Sequence, residues 1–169
     1  MDYATVQDLV DRFGEQELIQ LTDPDLLVVN AAKASRALAD AQSFIDGFIG
    51  RVFSLPLSGC VKPAPTVDDP AAVVMVAPPQ LTRLACDVAR YYLYDDLAPE
   101  HEVYLRFKAA DRELQAMADG KVVVTCPWGG TPGTLVSGSA PGDGEVLFGF
   151  SPRQVTDDSM RGFAWARRA

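Results

Sequence analysis

A mainly α fold is what this sequence predicts: a compact bundle of about four to five helices, a small β element and an extended C-terminal arm. Three observations carry that reading. Apolar residues recur at three- and four-residue spacing through three long segments, near 34–52, 81–92 and 103–117. Gly and Pro interrupt the pattern at residues 58–79. From residue 127 onward the periodicity stops, and 12 of the last 43 residues are Gly or Pro. The expected division is a helical domain over 1–126 and an arm over 127–169.

The elements follow in order. Thr5-x-x-Asp8 has the form of a helix cap, and Val6, Leu9, Val10 and Phe13 make a short amphipathic turn sequence that ends at Gly14. A second short helix runs from Glu15 to Leu21 and closes at Thr22-Asp23-Pro24-Asp25. Two carboxylates in an Asp-Pro-Asp turn are read as a cap rather than a cation site. The long helix spans about Asn30 to Val52, roughly 34 Å, with Ala34, Leu38, Ala41, Ile45, Phe48 and Val52 as its apolar stripe. Phe44 and Ile49 widen the stripe, and Ala37, Ala41 and Gly47 allow a neighbour to approach closely. Asp46 is a carboxylate beside that stripe. A buried carboxylate needs a cationic partner, and the reading is an ion pair between Asp46 and Arg90, with Arg51 as the alternative partner.

Five prolines (Pro63, Pro65, Pro70, Pro78 and Pro79) make 58–79 a loop. Val73-Val74-Met75-Val76 within it is β-branched enough for a short strand. Pro79 suits the first turn of the next helix, whose Leu81, Leu84, Ala85, Val88, Tyr91 and Tyr92 are expected to face inward. The last helix, about Glu100 to Asp119, turns Val103, Phe107, Ala110, Leu114 and Met117 to the core, with Gly120 as its stop. Lys121 to Cys126 reads as a strand that could pair with Val73–Val76 or with Glu145–Phe150.

Composition limits the chemistry. The chain has 169 residues and a net charge of −8. Residues 127–169 hold four basic side chains (Arg153, Arg161, Arg167, Arg168) and four acidic ones (Asp143, Glu145, Asp157, Asp158), so the whole excess lies in 1–126. An acidic body repels phosphate backbones; only the terminal arginines suit DNA contact, and then in passing. No run approaches the length of a membrane span, and Met1-Asp2-Tyr3-Ala4-Thr5 lacks the regions of a signal peptide. A soluble protein made in the cytoplasm is expected. Cys60, Cys86 and Cys126 are far apart and odd in number, which reads as buried reduced thiols. His101, the only histidine, sits in a polar helix start and is read as solvated. Gly129-Gly130-x-x-Gly133 lacks the strand, helix and lysine of a phosphate loop. No catalytic residue, cofactor site or metal site is nominated.

The arm is different. A Gly- and Pro-rich tether, 127–144, precedes Phe148, Phe150, Phe163 and Trp165, each costly to leave in water. That is the composition of a segment that docks on another subunit, and those four residues are the candidate subunit interface. The alternative is an arm that folds back on its own domain through Glu145–Phe150.

Taken in order, Leu21-Thr22-Asp23, Ala39-Asp40-Ala41, Ile45-Asp46-Gly47-Phe48 with Arg51, and Leu55-Pro56-Leu57 resemble the Mu-like prophage head–tail joining proteins. So do Leu84-Ala85-Cys86-Asp87-Val88-Ala89-Arg90-Tyr91-x-Leu93-Tyr94 and Arg106-Phe107 through Gly120-Lys121-Val122. The resemblance covers about residues 3–125. It implies a small structural connector (adaptor) of a tailed phage, a homo-oligomeric ring in the virion neck. The implied partners are other copies of itself, the portal protein and a tail-completion or tail-terminator protein. No small-molecule substrate, cofactor or membrane is implied. The 58–79 loop is longer than this family suggests, and 127–144 matches no pattern in it. The competing readings are another tail-assembly or completion protein, and an unrecognised enzyme.

Overall fold

The computed structural model describes residues 1–23, 25, 28–67, 69–94, 98 and 100–136. Five helices and one two-stranded sheet are present among them: α1 Val6–Phe13, α2 Glu15–Thr22, α3 Ala31–Ile49, β1 Cys60–Pro63, β2 Val73–Val76, α4 Pro79–Leu93 and α5 Glu102–Ala118. The expected mainly α architecture is what the chain adopts.

Local chemistry sets the helix ends. The Thr5 Oγ1 accepts from the Asp8 N–H at 3.2 Å while Asp8 Oδ2 accepts from the Thr5 N–H at 2.7 Å, closing a capping box. Gly14, at φ +90°, ends α1 and starts α2 in one residue, a conformation that a side chain would strain. Asn30 caps α3 through Oδ1, which accepts from the Lys33 N–H at 3.1 Å. Pro79 opens α4 as expected. His101 is exposed, but it is also the N-cap of α5: its Nδ1 accepts from the Val103 N–H at 3.2 Å.

The core lies where α3, α4 and α5 meet, with α1 and α2 closing one side. Leu9, Leu18, Ile45, Ile49, Leu81, Leu84, Leu114 and Met117 are fully buried. Ala34, Ala37 and Ala41 of α3 and Ala85 and Ala89 of α4 are buried too, so the two backbones pack closely.

Three expected faces are displaced. The α3 stripe turns from Ile45 to Ile49 rather than to Phe48, which is half-buried. Both spacings are helical, and packing selects the four-residue one. Phe48 and Phe44 instead join an aromatic edge, with Phe44 5.9 Å from Phe107 and Tyr91 stacked on Phe107 at 4.1 Å. Tyr92 is exposed rather than inward. Gly47 is also exposed, and a Cβ there would meet nothing, so it admits no close neighbour.

The β element differs as well. β2 pairs antiparallel with β1, with Val61 opposite Met75 and Pro63 opposite Val73, so the expected loop is a hairpin. Residues 121–126 form no strand. Val124 is buried against the core and the chain continues as a strap through residue 136. The Gly59 N–H donates to Pro132 O at 2.9 Å, Ser54 N–H to Thr134 O at 2.8 Å, and Val136 N–H to Val52 O at 2.8 Å. Gly59, at φ +91°, sits where a Cβ would meet Met1 Sδ at 2.6 Å and Val76 O at 2.9 Å. The first ten residues assigned to the arm thus pack on the helical body.

Candidate assembly surfaces

The polar side chains between elements serve as internal ties. Arg90 Nε of α4 donates to Glu17 Oε1 of α2 at 2.6 Å. The Tyr94 hydroxyl donates to the same oxygen at 3.1 Å, and the guanidinium lies 4.5 Å from the centre of the Phe13 ring. Asp46 accepts from the Tyr3 hydroxyl, tying the N-terminal segment to α3. Burial, followed by that bond to Asp46, raises the Tyr3 phenol well above its ordinary range. The expected Asp46–Arg90 pair is therefore corrected: each group has a different partner. Arg90 lies on the α4 face that meets the short N-terminal helices, where Glu17 is nearer.

A second tie joins α4 to α5. Arg83 Nη2 donates to Glu113 Oε2 at 2.6 Å and Gln80 Nε2 to Glu113 Oε1 at 2.9 Å. Burial opposes ionisation of Glu113, but these two donors overcome it and hold its carboxyl below the ordinary value. Asp87 is the buried acid of α4. Burial raises its carboxyl, and Arg83, at 3.7 Å, is the nearest compensating charge.

The cysteines depart from expectation. Cys60, the first residue of β1, is joined to Cys126 by a disulfide, with the Cα atoms 5.4 Å apart. Their 66-residue separation concealed a contact made when the strap returns to the hairpin base. Cys86 stays a buried thiol, pushed up to about 11 mainly by burial, which keeps it protonated and unreactive at neutral pH.

Among the described residues no group of three or more His, Cys, Asp or Glu side chains is placed to hold a metal ion. No described helix is long and apolar enough to cross a membrane. A depression of about 330 Å³ lies between the N-terminal segment and α3, lined in part by Asp2, Thr5, Ser35 and Gln42.

What remains is surface. Along a strand, alternate side chains share a face. Cys60, Lys62, Val74 and Val76 lie on one face of the hairpin, where Cys60 joins the strap and the Lys62 ammonium sits 5.6 Å from the Trp128 ring. The other face is Val61, Pro63, Val73 and Met75, all apolar. Val61, Val73 and Met75 are 47%, 56% and 49% exposed. The aromatic edge, part-buried elsewhere, reaches the surface at Tyr92. The candidate interface residues Phe148, Phe150, Phe163 and Trp165 lie outside the described residues. Sequence reasoning missed the apolar hairpin face because it offered Lys121–Cys126 as the partner of Val73–Val76, whereas the partner is Cys60–Pro63. The signal was confined to Val73–Val76, since Cys60-Val61-Lys62-Pro63 carries a lysine and a proline.

Comparison with known proteins gives two findings. The family described as Bacteriophage Mu, Gp36 matches residues 3–134. Gene product J of Escherichia phage Mu is 34% identical over 123 residues, which is 72% of this chain and 74% of that protein. The family match begins at Tyr3, which holds Asp46, and ends at Thr134, which holds Ser54. It therefore takes in the helical body, the hairpin and nearly all of the strap.

Proposed function

Since the chain belongs to the Bacteriophage Mu Gp36 family, we propose that it is a structural head–tail connector of a tailed phage or prophage. In this reading it forms a homo-oligomeric ring in the virion neck, between the portal and a tail-completion or tail-terminator protein. It acts by geometry rather than catalysis. It takes no small-molecule substrate or cofactor, inserts in no membrane, and touches DNA only in passing.

The observation that carries the proposal is the contrast between interior and surface. The inter-helix charges are engaged within the molecule, Arg90 with Glu17 and Arg83 with Glu113. An apolar hairpin face is left in solvent, and a part-buried aromatic edge comes to the surface at Tyr92. Such patches suit protein contacts. Two dissimilar patches suit a head-to-tail contact, which closes into a ring when the rotation fits. The segment beyond 136 adds Phe148, Phe150, Phe163 and Trp165 as proposed contacts with a neighbouring subunit. Ordering such a segment costs conformational entropy, which the contacts it makes must exceed.

Electron microscopy of the purified protein, alone and mixed with portal, tests the reading. Rings seated on the portal are the expected result. A chain that ignores the portal but binds tail subunits would replace it with the second reading, a tail-assembly or completion protein.

A further inference from the structure

Among the described residues the hairpin stands as a two-stranded sheet with both outer edges open. A lone pair of strands is marginal in water; a third strand or a packed face is what stabilises one. An open edge of unpaired N–H and C=O groups is a template for another strand. β1 ends in Pro63, which has no N–H to offer at its outer edge, whereas Val73 and Met75, the β2 residues turned away from β1, can both donate and accept. The β2 edge is the better template.

The chain itself supplies an occupant within reach. The described residues end at Val136, bonded to Val52, and four residues earlier Pro132 is bonded to Gly59, next to the hairpin base at Cys60. The exit point is thus no more than about 18 Å of extended chain from that base. Residues 137–144 read Ser-Gly-Ser-Ala-Pro-Gly-Asp-Gly, and a Gly/Ser-rich linker of that length has a root-mean-square span of about 16 Å. Next comes Glu145-Val146-Leu147-Phe148-Gly149-Phe150. It contains no proline, and Val146, Phe148 and Phe150 fall at the alternate positions of a strand.

We propose that Glu145–Phe150 adds to the β2 edge as a third strand. Main-chain pairing supplies the attachment. Val146, Phe148 and Phe150 continue the face of Val61, Val73 and Met75, in the aromatic and β-branched cross-strand pairs that stabilise sheets. The pairing stands whether or not the protein forms rings; only an exchange of this strand between copies rests on the connector reading.

The test uses the full chain with the photo-crosslinker p-benzoylphenylalanine in place of Met75, as an equal mixture of ¹⁵N-labelled and unlabelled protein. After irradiation, mass spectrometry maps the crosslinks. They are expected to concentrate on residues 145–150, and Phe148→Asp should cut their yield at least tenfold without changing the circular dichroism spectrum. Crosslinks confined to β2 of a second copy, crosslinks elsewhere on the tail, or none at all would overturn the strand pairing. Labelled–unlabelled products would place the pairing between copies. Products without isotopic mixing would leave the pairing in place and count against the segment as a clasp between subunits.

Discussion

Breaking the Cys60–Cys126 bond is the perturbation whose size the structure allows to be worked out. The bond closes a loop of 66 residues that contains β1, β2, α4 and α5. Constraining the unfolded chain over a loop of that length is worth about 4 kcal/mol at 25 °C on the chain-entropy relation. Native contacts remain on both sides of the bond when it is cut: the Gly59–Pro132 hydrogen bond beside Cys60, and Val124 in the core beside Cys126. The reduced protein should therefore stay folded but lose most of that margin, with a fall in Tm of about 8–16 °C for a chain of this size. Urea titrations with and without reductant measure the difference. Thiol counting in denaturant, without reductant, should find one free sulfhydryl, Cys86, and three after reduction. Three free thiols at the outset, or coincident unfolding curves in a protein shown to be oxidised, would refute the reasoning.

Other outcomes are as direct. Leu114→Ala should cost about 3 kcal/mol by denaturant unfolding, because Leu114 is fully buried between α3 and α4, while Phe48→Ala, at a half-buried edge, should cost clearly less. Replacing Glu17 with Gln should strand the partly buried Arg90 and destabilise more than replacing both residues with apolar ones of similar size; a double-mutant cycle reads the coupling. Glu113 titrates below its ordinary value of 4.5, so the unfolded chain binds the proton first as pH falls. Its contribution is present in full above pH 4.5 and is lost as pH drops through the lower folded value. Glu113→Gln should flatten the stability profile in that acid window.

The helices were legible because their information is local. The Thr5–Asp8 box, Pro79, and the spacing of Leu81, Leu84, Ala85 and Val88 each act within one or two turns. What escaped depends on partners distant in sequence. Asp46 and Arg90 were matched as opposite charges, yet Arg90 chose Glu17, 73 residues away, and Asp46 took a phenol. The cysteine pair was hidden for the same reason. Residues 121–126 have the β-branched composition of a strand, but their backbone follows the strap and Val124 goes to the core. The candidate surface was half legible: Val73–Val76 was recognised as a strand, while its partner lay inside a segment whose prolines read as loop. The apolar anchors from Phe148 to Trp165 belong to residues the structure does not describe.

The corner at Gly14 carries a consequence for how the molecule opens. α1 and α2 have eight residues each, too few to persist alone in water, so both exist only while docked. Leu9, Leu18 and the Arg90–Glu17 bond hold them to α3 and α4. The two helices therefore detach as one unit, at a lower free energy than global unfolding. Their amides should exchange with solvent sooner than those of α3 and α4. Each such opening bares the stripe of α4 that carries Cys86 and Arg90 while the three long helices remain assembled.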